Sequence, residues 1–98
     1  MSAAISDASV IRLPRGVKLR FNEARQQWFL LGPERVFEPD EVAIEILQRI
    51  DGSRTLKAIT AELAEAFQAP ADEIGRDVTD FVGHLIGIRM LEPLEAER

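Results

Sequence analysis

The sequence predicts an α+β fold, a small winged-helix-like domain in which an N-terminal three-stranded antiparallel β-sheet is followed by a three-helix bundle. Two observations predict it. Apolar and polar residues alternate from Val17 to Asn22, which is typical of a half-buried strand, and a short apolar run follows at residues 27–31. From residue 40 onward, apolar residues recur every three or four positions, which is typical of amphipathic helices. The length of 98 residues favours one compact domain.

Three short strands are predicted in the first part of the chain. Val17, Leu19 and Phe21 alternate with polar residues, which predicts the first strand. A polar loop of hairpin length then leads to the apolar run 27–31, the second strand, which we expect to pair antiparallel with the first. Gly32-Pro33-Glu34-Arg35 predicts a turn, and residues 36–38 a brief third strand that ends at Pro39, which lacks an N–H donor.

Three helices are predicted after these strands. Asp40 is placed to cap the first, which is expected to run to about Ile50, and Thr55 to cap the second. The third begins near the acidic pair Asp72-Glu73 and ends near Gly87. The apolar stripes are Val42, Ala43, Ile46, Leu47 and Ile50 in the first helix, Leu56, Ile59, Leu63 and Phe67 in the second, and Ile74, Val78, Phe81, Val82 and Leu85 in the third.

The two ends of the chain are predicted to be less regular. Residues 1–11 are rich in Ala and Ser without periodicity, so we expect a flexible arm; 12–92 form the domain, and 93–98 form a charged tail. No basic and apolar leader opens the chain, and no stretch approaches the ~18 apolar residues that a membrane span needs. We therefore expect a cytoplasmic protein without membrane contact.

Composition argues for a binding protein rather than an enzyme. The chain has no Cys and a single His, His84, so no Cys or second His is available to share a metal with His84, and few side chains can serve as activated nucleophiles. Its net charge of −5 argues against nucleic-acid binding, which needs clustered Lys and Arg. The charge is divided unevenly, because residues 1–38 hold six basic and four acidic side chains and residues 39–98 six and thirteen. We predict no catalytic residue, no metal and no cofactor.

The third strand offers a binding surface. It has one predicted neighbour, so its backbone from Arg35 to Glu38 would be open to an added strand. Alternatively, the charged residues and Pro39 only protect this edge from aggregation. Ile44, away from the stripe of the first helix, either lines a groove beside the third strand or is one of the single exposed apolar residues that are common. Both pairs of alternatives stay open on the residues alone.

Four motifs follow one another along residues 12–92. They are Leu13-Pro14, Gln27-Trp28-Phe29-Leu30-Leu31-x-Pro33-Glu34, Ala43-x-x-Ile46-Leu47-x-x-Ile50-Asp51-Gly52-x-Arg54-Thr55 and Asp77-Val78-x-x-Phe81-Val82. No single motif is diagnostic, but their order along the whole domain is specific. This ordered set resembles the family of pyrroloquinoline quinone (PQQ) biosynthesis protein D, PqqD. Arg35 and Arg89 stand where the family often has Gly.

This resemblance implies a non-catalytic peptide chaperone, a precursor-peptide (RiPP) recognition element. Such a protein captures the leader of the precursor peptide PqqA and presents it to the radical S-adenosylmethionine (SAM) enzyme PqqE. In the family, the peptide adds as a strand beside the third strand and lies against the first helix. By position, the backbone of Arg35, Val36, Phe37 and Glu38 would pair with the peptide, and Ala43, Ile44 and Leu47 would line the groove.

Two other functions compete with this prediction. A winged-helix domain can bind DNA through its last helix or its hairpin, although Asp72, Glu73, Asp77 and Asp80 make the third helix acidic. The second alternative is that the chain is a plain dimerisation module with no peptide ligand. A homodimer is open in either case, because short edge elements on a small domain can exchange between protomers.

Overall fold

The computed structural model describes residues 5–94, and it confirms the predicted α+β class with three antiparallel strands and three helices. Two further strands of two residues each, near the two ends of the chain, were not predicted. The elements are β1 Ile11–Arg12, β2 Lys18–Asn22, β3 Gln27–Gly32, β4 Arg35–Phe37, α1 Glu41–Gln48, α2 Leu56–Phe67, α3 Ala71–Gly87 and β5 Glu92–Pro93.

The three-stranded sheet has the order β2-β3-β4, with β3 in the centre. Leu30 of β3 pairs with Leu19 of β2 and with Phe37 of β4, so these three side chains share the face that packs on the helices. Leu30 itself is completely buried. The sheet therefore covers the helices with one face, and the pairing places β4 at an outer edge.

The helices start at the predicted caps. The carboxylate of Asp40 accepts a hydrogen bond from the N–H of Ala43 at 2.8 Å, and the hydroxyl of Thr55 accepts one from Ala58 at 3.1 Å. The helical stripes supply most of the core, and it is completed from the sheet side by Val17 and Leu30 and from the end of the chain by Met90 and Leu91.

Three details of the helices differ from the prediction. The first helix ends at Gln48, two residues before Ile50, and Ile50 is buried from the following turn. Val42 and Phe67 belong to the predicted apolar stripes, but each is 42% exposed. Val42 is the second residue of α1 and Phe67 is the last residue of α2, so each lies in a terminal turn of its helix.

Asp51 organises the turn between α1 and α2. Its carboxylate accepts hydrogen bonds from the N–H groups of Ser53 and Arg54, both at 2.9 Å. The hydrogen bond from the backbone N–H of Arg54 is the largest of the causes that lower the pKa of Asp51 below its ordinary value. Because the folded state lowers this pKa, the hydrogen bonds to the ionised Asp51 carboxylate stabilise the folded protein at pH values above the ordinary pKa of Asp. This stabilisation is lost as the pH falls through the lowered pKa.

The segment before β2, of which 1–11 was predicted to be a flexible arm, makes regular contacts in its described part. Lys57 and Leu56 donate backbone hydrogen bonds to the carbonyls of Asp7 and Ser9, both at 2.9 Å. Ile11 pairs with Pro93 in the β1-β5 ribbon and is 1% exposed. Residues 7–11 are thus attached to α2 and to β5, whereas residues 1–4 lie outside the described residues.

The tail predicted at 93–98 is likewise attached where it is described. Pro93 belongs to β5, and the N–H of Leu94 donates to the carbonyl of Val10 at 2.8 Å. Arg12 and Glu92 also form an exposed ion pair across the ribbon, at 2.6 Å. Residues 95–98 lie outside the described residues.

Arg35 and Arg89, which stand where the family that the sequence resembles often has Gly, differ in backbone conformation. In the turn before β4 the residue with a positive φ, +62°, is Glu34, so Arg35 needs no glycine-like conformation. Arg89, in contrast, has φ +66° and follows the end of α3. The N–H groups of Arg89 and Met90 donate to the carbonyls of Ile86 and Leu85, which is the Schellman arrangement that favours glycine at this position.

We expect Arg89→Gly to stabilise the protein. Removing the Cβ relieves the left-handed strain, and part of that gain is offset by the greater freedom of glycine in the unfolded chain, so the free energy of unfolding should rise by about 1 kcal/mol. Urea denaturation followed by Trp28 fluorescence measures it. The matched control is Arg89→Ala, which removes the same charge but keeps the Cβ. An equal gain in both variants would show that the charge, and not the backbone, is responsible.

Candidate functional site

The outer edge of β4 is the candidate binding site. Strand β4 pairs with β3 on one side through Leu30–Phe37, Leu31–Val36 and Gly32–Arg35, and on its other side no strand of residues 5–94 pairs with it. It begins after the two-residue loop Pro33-Glu34 and ends before the buried Pro39. An edge of this kind presents main-chain donors and acceptors that another strand can pair with.

The register shows which backbone groups point to the open side. The residues that flank a two-residue hairpin loop, here Gly32 and Arg35, form a hydrogen-bonded pair, and such pairs alternate along an antiparallel ladder. Arg35 and Phe37 therefore direct their N–H and C=O groups to β3, and Val36 directs its own outward. Within residues 5–94, Val36 has no backbone hydrogen bond to a loop or helix. Of the four residues predicted to pair with a peptide, the register favours Val36 and, by the same alternation, Glu38.

On the inner side of this edge, a cavity of about 400 Å³ opens between β4, α1 and α3. From the β4 side it is lined by Phe37, Glu38 and Asp40. The rings of Phe37 and Phe81 lie 6.0 Å apart between their centroids, tilted by 50°, and close one wall. A side chain that enters from the open edge would therefore meet aromatic surface.

The two helices complete the cavity with apolar surface and one further carboxylate. Helix α1 contributes Val42, Ala43 and Ile46. Helix α3 contributes Asp77 and Phe81, which are four residues apart and so lie on the same helix face. The cavity thus has an apolar floor and an acidic rim.

A second, smaller cavity of about 290 Å³ lies at the other end of β4. Arg35, Val36 and Phe37 line it from the strand, and Ile88 and Met90 from the segment after α3. Phe37 is common to both cavities. A recess therefore lies at each end of β4, and Phe37 lines both.

The opposite face of the sheet has a different character. Phe29, Leu31 and Val36 are apolar there, and Val36 is 68% exposed. The guanidinium of Arg25 lies 5.6 Å above the Phe29 ring. Trp28 is on the other face, beside Phe21 at 5.3 Å between centroids. The outward aromatic residue of the Trp28-Phe29 pair is thus Phe29, and Arg25 of the hairpin loop lies over it.

The residues predicted to line a groove are divided by the structure. Ala43 lines the larger cavity, together with Phe37 and Glu38. Leu47 is 3% exposed and belongs to the core, and Ile44 is half-buried and does not line the cavity. The sequence-based choice of residues missed five that do line it. They are Asp40, Val42, Ile46, Asp77 and Phe81.

Neither a metal cluster nor a membrane helix is found in the part of the chain that the structure describes. No three His, Asp or Glu side chains of residues 5–94 are grouped as metal ligands would be. None of the helices described here has the length and apolarity to cross a bilayer. The site itself offers main-chain hydrogen-bonding groups, an apolar recess and carboxylates.

The chain is similar to one family of known proteins. The family model of coenzyme PQQ synthesis protein D (PqqD) matches residues 27–91, which include β3, β4 and all three helices. A PqqA binding protein of Rhodopseudomonas palustris (strain BisB5) is 53% identical over 74 residues, 76% of this chain and 72% of that protein. The PqqA binding protein of Rhizobium meliloti (strain 1021) is 48% identical over 88 residues, 90% of each chain.

Two solved structures are similar to this one. The solution structure of the PqqD truncation of Methylobacterium extorquens PqqCD, described as a functional and stand-alone RiPP recognition element, has a TM-score of 0.78 at 39% identity, covering 91% of this chain and 95% of the other. The crystal structure of PqqD from Xanthomonas campestris has a TM-score of 0.58 at 43% identity, covering 91% and 99%. With a family model over residues 27–91 and relatives this similar along most of both chains, the chain belongs to the PqqD family.

Proposed function

We propose that this protein binds the leader of the precursor peptide PqqA by strand addition to β4 and acts without catalysis of its own. The observation that carries the proposal is the open edge of β4 beside an apolar cavity. The similarity of the chain to PqqA binding proteins and to a RiPP recognition element supports PqqA as the source of the peptide.

In the proposed complex, the leader lies as an additional strand beside β4. The outward N–H and C=O groups of Val36 pair with the peptide backbone and supply affinity. Alternate side chains of the leader face inward, because side chains of a strand point to opposite faces in turn. An apolar one would enter the larger cavity, against Phe37 and Phe81, where Ala43 lets it approach α1 closely.

We further propose that the bound leader is presented to the radical SAM enzyme PqqE. Ordering a flexible peptide costs conformational entropy. When this protein holds the peptide extended beside β4, part of that cost has already been met before the peptide reaches the enzyme. If the same protein also contacts the enzyme, the effective concentration of the peptide at the active site rises. This part of the proposal rests on the family resemblance. A cytoplasmic location and a homodimer stay predictions.

The proposed function is tested by the binding of PqqA to the purified protein. Fluorescence anisotropy of a labelled PqqA leader should show saturable binding, and a scrambled leader of the same composition should bind much more weakly. Addition of PqqE should give a complex of all three components in gel filtration. Equal binding of the native and scrambled leaders would contradict the proposal, and retention of duplex DNA in its place would favour the winged-helix alternative.

A further inference from the structure

The inner side of the β4 edge carries an uneven distribution of charge. Three carboxylates, those of Glu38, Asp40 and Asp77, line the larger of the two cavities beside β4, and among the described residues no Lys or Arg lines it. The smaller cavity at the other end has Glu34 and Arg35 in its lining, one charge of each sign. The two recesses beside Phe37 therefore differ in net charge.

These carboxylates are available to a ligand. Within residues 5–94, none of the three forms an ion pair with a basic side chain of the protein. Asp40 uses one oxygen to cap α1, whereas Glu38 and Asp77 are exposed. The apolar wall beside them excludes water on one side, so a cation placed here would be screened less than on an open surface.

We propose that the strand bound at β4 must carry a basic side chain two positions from the apolar side chain that fills the cavity, and that Asp77 is the residue that selects it. This inference rests on the proposed function and names the class of peptide that the site takes. Side chains two positions apart point to the same face and stand about 6–7 Å from each other along a strand. When the apolar one contacts Phe37 and Phe81, the basic one reaches the carboxylate rim.

Of the three carboxylates, Asp77 is the one whose substitution tests the inference most directly. It lies one helical turn before Phe81 on α3, so its position relative to the aromatic wall is fixed by the helix. Asp40 is occupied as a helix cap and Glu38 follows a strand whose backbone takes part in binding. A change at Asp77 therefore alters the charge of the rim without altering a cap or the edge itself.

The test uses the PqqA leader, with each of its Lys and Arg residues replaced in turn by Gln, against the protein and its Asp77→Asn and Asp77→Lys variants. We expect Asp77→Asn to weaken the native leader about threefold and Asp77→Lys about tenfold, as for partly exposed ion pairs. One Gln-substituted leader should lose affinity for the native protein and lose almost nothing further with Asp77→Asn. Its replaced residue identifies the basic partner.

The matched control is Asp80→Lys, which makes the same change of charge on the same helix. Asp80 is three residues from Asp77, but it lines a separate cavity, with Asp7 and Lys57, and does not line the cavity beside β4. A loss of affinity in Asp80→Lys equal to that in Asp77→Lys would show a general effect of net charge and would overturn the inference. So would binding of the native leader that no Gln replacement couples to Asp77, although the proposed function would then stand. A leader that does not bind the native protein contradicts both.

Discussion

Replacing Val36 by proline is expected to weaken binding of the PqqA leader about tenfold or more, with the domain still folded. The N–H of Val36 points away from β3, so its removal costs the sheet no hydrogen bond, but it removes a donor that the bound strand uses. Arg35, the residue before the new proline, already lies in an extended strand, which proline favours in its predecessor.

The matched control for this variant is Val36→Ala. It removes most of the exposed side chain and keeps the N–H, so the affinity for the leader should fall much less than in Val36→Pro. Circular dichroism and thermal unfolding establish that both variants are folded. Unchanged affinity in a folded Val36→Pro protein would mean that the leader does not pair with this edge.

Replacing Ile11 by alanine is expected to lower the free energy of unfolding by about 3 kcal/mol, a large fraction of the stability of a small domain. Ile11 is 1% exposed and belongs to the core cluster, next to the backbone bonds that residues 7–10 make to α2 and to Leu94. Removing three of its side-chain carbons leaves a cavity in that core. Urea denaturation followed by circular dichroism measures the loss.

Arg12→Ala is the control for Ile11→Ala. Arg12 is the neighbouring residue in the same two-residue strand, but its side chain is exposed and forms an ion pair with Glu92 on the surface. Surface pairs of this kind contribute about 0–1 kcal/mol, so this variant should be nearly as stable as the native protein. If Ile11→Ala were as stable as Arg12→Ala, the first residues would behave as the flexible arm that composition predicts.

Composition predicts a flexible arm that includes residues 7–11, whereas in the structure these residues contact α2 and β5, and this difference has a physical reason. Periodicity reveals a strand or helix only when several residues repeat it, and a strand of two residues such as Ile11–Arg12 has no period. Its contacts join positions that are far apart in sequence, as in the pair Ile11–Pro93. Longer elements gave clear patterns, and α2 and α3 begin and end within one or two residues of their predicted limits.

The candidate site was predictable in part for a similar reason. That the third strand would have one neighbour followed from the order of hairpin and helices, and within residues 5–94 β4 pairs with β3 alone. The register that separates Val36 from Arg35 and Phe37 depends on the loop length. The sequence predicted a turn over residues 32–35 and a strand over 36–38, whereas the loop has two residues and β4 begins one position earlier, at Arg35. Asp77 and Phe81 come from a helix some forty residues away in sequence, and only the tertiary fold brings them beside β4.

Leu47 shows how two kinds of sequence evidence can differ. Its place in the helical stripe predicted a core residue, whereas the family resemblance placed it in a binding groove. The structure buries it in the core, and the cavity is lined by Val42, Ala43 and Ile46 from the same helix. Positions three and four apart share a helix face, so a stripe wide enough for the core also reaches the cavity at its edge.

The most direct test of strand addition is amide hydrogen exchange of the labelled protein, measured by NMR without and with the PqqA leader. In the free protein the amides of Arg35 and Phe37 are bonded to β3, and that of Val36 faces the open side. Binding should therefore slow exchange most at Val36, with little change at its two neighbours beyond a general stabilisation. Exchange at Val36 that stays fast at saturating leader, with protection gained elsewhere, would contradict the account.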